Sequence, residues 1–331
     1  MSSEWDDEVC DARDDDSSNV IGYKIKKMNA VVVENIIKTY GKKKEVTALS
    51  DISFHVPQGE LFGIIGPDGA GKTSLFRILT TLLLADSGKA TVDGFDVVKD
   101  YKAIRKRVGY MPGRFSLYPD LSVEENLNFF ATIFNTSIEE NYDLVKDIYV
   151  QIEPFKDRKA GKLSGGMKQK LALSCALIHR PSVLFLDEPT TGVDAVSRKE
   201  FWEMLKGLKK QGITILVSTP YMDEASLCDR VALIQNGKIL SINTPQGIVD
   251  SFSRPLWAVK STRMLPLLNE LLKKDFVENA YPFGEYHHVV MKDGSGVERL
   301  KQVVQEHKNE NAIAEKVQPD IEDCFIALMK N

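Results

Sequence analysis

The stretch Gly66-Pro67-Asp68-Gly69-Ala70-Gly71-Lys72-Thr73 decides how this chain is read. It matches G-x-x-x-x-G-K-[ST], and its flanks give the match meaning. Before it runs Leu61-Phe62-Gly63-Ile64-Ile65, which reads as a buried strand, and after it runs Ser74-Leu75-Phe76-Arg77-Ile78-Leu79, which reads as a helix. Between a strand and a helix, the glycines let the backbone curl until successive N–H groups point at one centre. The helix N-terminus adds partial positive charge there. Lys72 is expected to reach β- and γ-phosphates, and the Thr73 hydroxyl to ligate Mg²⁺. A tight structural turn is the competing reading, and the two flanking elements disfavour it. The stretch is therefore expected to bind a nucleoside triphosphate.

Farther along, Val183-Leu184-Phe185-Leu186 reads as a second buried strand, ending in Asp187-Glu188. Two carboxylates at a strand end beside a phosphate loop have a chemical use. Asp187 can hold Mg²⁺, and Glu188 can orient or deprotonate an attacking water. Upstream of that strand, Leu163-Ser164-Gly165-Gly166-Met167-Lys168-Gln169 opens a helix that stops before Pro181.

The rest of the chain fits around these segments. Val31-Val32-Val33, Ile36-Ile37 and Asp51 to Val56 read as strands, and Asp93-Gly94 marks a hairpin. His55 alternates with apolar neighbours and is expected on a sheet face. Residues 97–160 read as mostly helical, with capping-box starts at Ser122-Val123-Glu124-Glu125 and Ser137-Ile138-Glu139-Glu140. They suggest a helical subdomain at about 97–165. Ser197-Arg198-Lys199-Glu200 is expected to start a capped helix, Ile213 to Ser218 a strand, Asn236-Gly237 a hairpin, and Thr244-Pro245 a short helix. Past Phe252, strand-like and helical pieces alternate, so 253–331 is expected to be a small α+β accessory domain. His287, His288 and His307 show no metal spacing there and are expected at the surface.

At 331 residues, with 43% apolar and 27% charged side chains, the chain suits one large domain and a smaller one. No apolar run approaches the ~18 residues of a membrane span. Residues 1–28 are expected to form an acidic disordered tail, since 1–19 hold eight carboxylates against one arginine. The remainder is slightly positive and has no broad basic field, so no nucleic-acid partner is expected. Cysteines 10, 175, 228 and 324 have no metal or redox spacing, which suits reduced structural thiols in a cytoplasmic protein.

Residues 66–73, LSGGMKQ at 163–169, the strand and acidic pair at 183–188, and Thr191-Gly192-Val193-Asp194, in this order, resemble the ATP-binding cassette (ABC) ATPases. The resemblance covers roughly 29–250. Leu117-Tyr118-Pro119-Asp120-Leu121-Ser122-Val123-Glu124-Glu125-Asn126 looks like ATPase subunits of bacterial drug and lipid exporters. The resemblance implies an α/β P-loop ABC-type nucleotide-binding domain at 29–252, with an antiparallel β subdomain and a helical subdomain. It implies ATP and Mg²⁺ as ligands. Tyr40 would stack on adenine, and Gly66, Pro67, Asp68, Gly69, Ala70, Gly71, Lys72, Thr73 and Ser74 would hold the phosphates. Glu188 and Lys72 would be catalytic, and Thr73 and Asp187 would hold the metal. Ser164, Gly165 and Gly166 would face the γ-phosphate held by a second subunit, and Asp194 would communicate between the two sites. The partners implied are a second ABC subunit, as homodimer or paralogue, and membrane-spanning permease subunits, which place the chain on the cytoplasmic face of the membrane. The permease groove is expected near Gly113-Arg114-Phe115 and Leu117-Tyr118-Pro119.

Two positions depart from the family pattern. Gly113 stands where the family usually has Gln, and Pro220 stands where it usually has His. Proline offers neither a side-chain donor nor an N–H. Slow hydrolysis is therefore expected. Two alternatives stay open: a hydrolysis-impaired, ATP-gated or degenerate subunit, and an importer ATPase with a regulatory C-terminal domain.

Overall fold

Residues 28–42, 45–293, 296–306 and 313–329 are described by the structure, a computed structural model. The expected acidic tail (Met28 excepted), Cys10 and His307 lie outside the described residues. Alternating apolar residues build two long antiparallel strands, β1 (Asn29–Tyr40) and β2 (Val46–Pro57), with Val31, Val33, Leu49, Ile52 and Val56 buried and His55 on the solvent face. The unbroken apolar run before the phosphate loop forms β3 (Leu61–Ile65), buried on both faces, and the loop turns into α1 (Lys72–Leu79). Strands β4 (Ser87–Val92) and β5 (Phe95–Asp96) form the hairpin expected at Asp93-Gly94 and complete an antiparallel sheet of order β2-β1-β4-β5.

Helix α2 (Tyr101–Arg105) leads into β6 (Val108–Met111). This strand falls inside the span 97–165 read as helical, yet it pairs in parallel with Val183–Asp187 and belongs to the central sheet. Helix α3 (Val123–Ile133) begins with the expected capping box at Ser122 and Glu125. The same reciprocal pair forms between Ser137 and Glu140, but it spans the start of a 3₁₀ turn, Glu139–Asn141, ahead of α4 (Tyr142–Tyr149). Next come α5 (Gly165–Leu177), β7 (Val183–Asp187) and α6 (Ala195–Lys210). The cap of α6 is Asp194 rather than Ser197: its extended backbone lets one carboxylate oxygen accept from both Val196 N and Ser197 N, so Ser197 lies in the first turn. Strand β8 (Thr214–Thr219) precedes the hairpin of β9 (Arg230–Gln235) and β10 (Lys238–Asn243), which turns at Asn236-Gly237, and Thr244 caps α7 (Pro245–Asp250). The central sheet has the order β10-β9-β3-β8-β7-β6, parallel except for β10.

The chain then builds a third sheet from β11 (Leu256–Lys260), α8 (Met264–Leu271), β12 (Val277–Phe283), β13 (Tyr286–Met291), α9 (Val297–Glu306) and β14 (Ile313–Lys316), followed by α10 (Ile321–Leu328). The order β12-β13-β11-β14, antiparallel throughout, is the β-α-β-β-α-β ferredoxin-like arrangement. Sequence reading missed β12, because Glu278, Asn279 and Pro282 hide its alternation; as an edge strand it tolerates the proline.

His287 and His288 are not surface residues. They lie on the interior strand β13 and are only 5% and 7% exposed. Helices α8 and α9 pack on one face of this sheet, and Asp323 of α10 bonds to Tyr281 and His288 on the other. His287 Nε2 meets the Met264 carbonyl at 2.8 Å; His288 Nδ1 meets Asp323 Oδ1 at 2.6 Å and its ring stacks on Phe283. Ile321, Cys324 and Phe325 of α10 join the apolar core that also holds Ala225, Cys228 and Ile248, so α10 packs against both units. Cys175, Cys228 and Cys324 are buried free thiols, as expected, and burial pushes the Cys324 thiol up to about 12.

His179, just beyond α5, ties the insert to the sheet: its ring stacks on Phe134 at 3.7 Å and its Nε2 meets the Val108 carbonyl at 3.0 Å. Burial holds its pKa below the ordinary 6.5. The unfolded chain therefore takes up this proton first. The site's contribution to stability is complete above about pH 6.5 and is lost as pH falls through the lower folded value. Urea unfolding between pH 8 and 5 should show wild type losing stability relative to His179→Phe as pH drops; parallel curves would contradict this assignment.

Candidate nucleotide-binding site

Because β3, β8, β7 and β6 run parallel, the segments after them share one sheet edge: 66–73, 218–220, 187–188 and 112–113. Carboxyl ends of parallel strands are where such sheets place ligands. The loop is locked to this edge by close backbone approach. Gly66 N donates to Thr219 O at 3.2 Å, and a Cβ on Gly66 would stand 2.1 Å from the Ile234 carbonyl oxygen. Gly71 has φ +105, and a Cβ there would stand 2.3 Å from the Ala48 carbonyl oxygen. Only glycine fits at either position.

The Lys72 side chain is 2% exposed; its Nζ donates to Gly66 O at 2.7 Å and Pro67 O at 2.9 Å and lies 3.2 Å from Glu188 Oε1. Thr73 and Ser74 occupy the first turn of α1, Ala70 is buried, and Pro67, Asp68 and Gly69 face solvent. The Tyr40 hydroxyl is 3.0 Å from Ser74 Oγ, its ring is exposed, and Lys38 Nζ sits 5.7 Å from the ring centre. Asp86 fixes this corner by accepting from Lys38 Nζ, Thr39 N and Thr39 Oγ1, bonds that hold its carboxyl well below the usual carboxylate range.

Asp187 is buried at the end of β7, where Ser218 Oγ donates to its Oδ1 at 2.6 Å. The same Ser218 hydroxyl accepts from Glu188 N at 3.0 Å, as does the Ser218 carbonyl. Glu188 takes a left-handed φ of 51° and pairs with Lys72. Gly113 lies directly against this pair: a Cβ there would stand 3.0 Å from Asp187 O and 3.7 Å from Glu188 Cβ. Pro220 follows the last residue of β8.

A second group forms apart from the first. Ser164 Oγ caps α5 by accepting from Met167 N at 3.3 Å. Gly165 lies near Gly192, ahead of α6, and Gly166 against its first turn; a Cβ on Gly166 would meet Ser197 Oγ at 2.7 Å. The Asp194 carboxyl is held below its ordinary range, chiefly by the Ser197 N–H. The structure thus brings together Tyr40, residues 66–74, Asp187 and Glu188, and separately Ser164, Gly165, Gly166 and Asp194. Among the described residues no hydrogen bond or ion pair joins the two groups. Sequence reasoning missed Glu224, which is buried behind β8. Its place in Asp223-Glu224 gave no signal beyond an acidic surface turn.

A groove lies apart from the phosphate loop. It measures 580 Å³ and runs along Gly113, Phe115 and Leu117 to Phe130, Ile133 and Phe134. Phe115 and Tyr118, the aromatics expected near a groove, are 41% and 47% exposed.

The ABC transporter family profile matches residues 49–191. The probable multidrug ABC transporter ATP-binding protein YbhF of Escherichia coli (strain K12) is 39% identical over 293 residues, covering 87% of this chain and 50% of that protein. The chain therefore spans about half of that relative's length. The Nod factor export ATP-binding protein I of Burkholderia lata is 40% identical over 220 residues, covering 66% of this chain and 71% of that protein. Among solved structures, the dimeric post-hydrolysis state of the ATP-binding cassette MJ0796 bound to ADP and Pi matches with TM-score 0.59 and 26% identity, covering 65% of this chain and 98% of that one.

The loop geometry separates its glycines experimentally. Gly71→Ala should cost about 1–3 kcal/mol through the clash with Ala48 and abolish binding of a fluorescent ATP analogue. Gly69→Ala, whose Cβ would meet nothing within 4 Å, pays only for its positive φ, about 1–2 kcal/mol. It should retain binding, measured by titration beside urea unfolding. Equal loss of binding in both would contradict the clash.

Proposed function

Because the chain belongs to the ABC transporter ATP-binding family, we propose that it is the ATP-hydrolysing motor subunit of an exporter, slow in turnover on its own. The observation that carries this reading is the contact of Lys72 with Glu188 at 3.2 Å, on the edge where loop 66–73 presents its N–H groups. A γ-phosphate competes with Glu188 for the buried ammonium, and Glu188, once released, orients the attacking water. Gly66, Pro67, Asp68, Gly69, Ala70, Gly71 and Ser74 line the phosphates, and the exposed Tyr40 ring stacks on adenine. The hydroxyl of Thr73 and the carboxylate of Asp187 are hard oxygen donors that suit Mg²⁺. The chemistry such an ion supplies is neutralisation of charge on the β- and γ-phosphate oxygens.

Ser164, Gly165 and Gly166 open α5 with free N–H groups and positive dipole, but they serve no phosphate of their own loop. In this reading they face the γ-phosphate bound to a second cassette, copy or paralogue, with Asp194 beside them. Hydrolysis removes the charge that joins the two surfaces. The 580 Å³ groove beside Gly113 is the seat for a permease subunit, with the exposed Phe115 in its lining. Among the described residues no helix is long and apolar enough to cross a membrane, so the membrane-spanning part of the transporter comes from such partners. The chain then sits on the cytoplasmic face. Export is supported by the name of the Burkholderia lata relative, a Nod factor export ATP-binding protein.

Slow turnover follows from Gly113 and Pro220. Each occupies the place at the sheet edge from which a polar side chain could reach the reacting phosphate, and neither has one. A lost transition-state donor of this kind costs roughly 2.7–4 kcal/mol. The same two residues favour a second reading, an ATP-gated clamp in which binding and not hydrolysis does the switching.

Steady-state ATPase assays of the purified chain separate the two readings. Low activity that Glu188→Gln abolishes, and that Pro220→His raises at least about tenfold, is the expected result for a slow motor. Absent turnover together with binding that Lys72→Ala removes would favour the clamp. In the groove, Ile133→Asp should leave ATP affinity unchanged and abolish co-purification with membrane subunits; retained co-purification would place the permease elsewhere.

A further inference from the structure

Glu224 is 2% exposed and has no part in the chemistry above. Its Oε2 accepts from Thr219 Oγ1 at 2.6 Å and from Thr190 Oγ1 at 3.1 Å. Its Oε1 accepts from Arg198 Nε at 3.2 Å and pairs with the second Arg198 nitrogen at 3.1 Å. Each partner belongs to a different part of the site. Thr219 ends β8, and its carbonyl accepts from Gly66 N at the start of the phosphate loop. Thr190 lies in the turn closed by the Thr191 N to Glu188 O bond. Arg198 stands in α6 beyond Asp194, with its guanidinium 4.3 Å from the Tyr221 ring centre, while Tyr221 N donates to Thr219 Oγ1. Pro220 sits inside this frame, and its side chain carries no polar atom.

A buried carboxylate persists only when its oxygens are satisfied, and a satisfied network fixes its members relative to one another. With proline at 220, the exit of β8 is held from behind, through Thr219 and Glu224. We propose that Glu224 is the positioning residue of this cassette: it keeps the Glu188 turn, the β8 exit and the start of α6 in one frame, so that nucleotide at the phosphate loop and the cassette-facing surface at 190–198 move together. Its kinetic consequence rests on the ATPase reading; the frame itself does not.

The test compares wild type with Glu224→Gln, Glu224→Asp, Thr219→Val and the Glu224→Gln/Thr219→Val double variant. The readouts are ATP kcat and KM, thermal midpoint, and amide hydrogen exchange at Gly66, Glu188 and Thr191 without nucleotide. Glu224→Gln should raise exchange at these amides at least tenfold, lower kcat at least tenfold and leave KM within twofold. Glu224→Asp should recover part of kcat, and the double variant should be no worse than the worse single one. Unchanged exchange, additive losses, or a lower thermal midpoint with kcat intact would overturn the proposal. If Glu224 variants fail to fold, Thr219→Val and Thr190→Val each remove one donor and are read by the same criteria. If wild type binds no ATP, the ATPase reading fails, and exchange alone decides whether the frame exists.

Discussion

The site depends on one buried charge. Lys72 has almost no contact with solvent, and a buried ammonium requires partners. Two of them are carbonyls of its own loop, which can converge on Nζ only if the loop curls. Curling needs Gly71 in a left-handed conformation and no Cβ at Gly66. Those glycines are in turn pressed by Ala48 of β2 and Ile234 of β9. Gly237, at the turn of the β9–β10 hairpin, donates to Ala70 O and accepts from Ser50 N. The antiparallel sheet and the edge of the central sheet therefore meet on the phosphate loop, and the loop's shape is a property of both.

The remaining partner, Glu188, comes from far away in sequence and is brought in by topology. Parallel pairing of β3, β8 and β7 puts their ends side by side, and Ser218 joins Asp187 to the Glu188 backbone. Gly113 and Pro220 occupy the same edge. Neither brings a polar side chain to it. The polar side chains at the edge include Lys72, Thr73, Asp187, Glu188 and Ser218, and Glu224 bonds to the end of β8 from behind.

Local signals made much of this legible. The phosphate loop, the acidic strand end, the Ser122 and Thr244 caps and the Asn236-Gly237 hairpin each act within a few residues, and each is found where its pattern put it. Failures came where distant elements decide. His288 reads as a surface histidine until α10 brings Asp323 against it, and Glu224 reads as a solvated acid until Arg198, Thr190 and Thr219 surround it. The acidic residue and proline of β12 suit an edge strand, but only the sheet order reveals that it is one. Asp194 and Ser197 both have capping side chains, and the backbone at 194 chooses between them.

The last helix removes any clean division between the third sheet and the rest. Asp323 of α10 is fully buried, accepts from the Tyr281 hydroxyl at 2.7 Å and meets His288 at 2.6 Å, so α10 is tied to β12 and β13. Its cap is the reciprocal Asp320–Asp323 box, and burial together with the Asp323 charge pushes the Asp320 carboxyl up. Its apolar side, Ile321 and Phe325, lies in the same core as Ala225 and Cys228, in and just beyond the 3₁₀ segment Met222–Leu227 that carries Glu224. Close-packed interiors transmit strain and do not absorb it. A helix bonded to the third sheet and packed on that segment cannot be withdrawn without opening a cavity behind the β8 exit. The third sheet thus bears, through α10, on the segment that carries Glu224 and, through Glu224, on the end of β8.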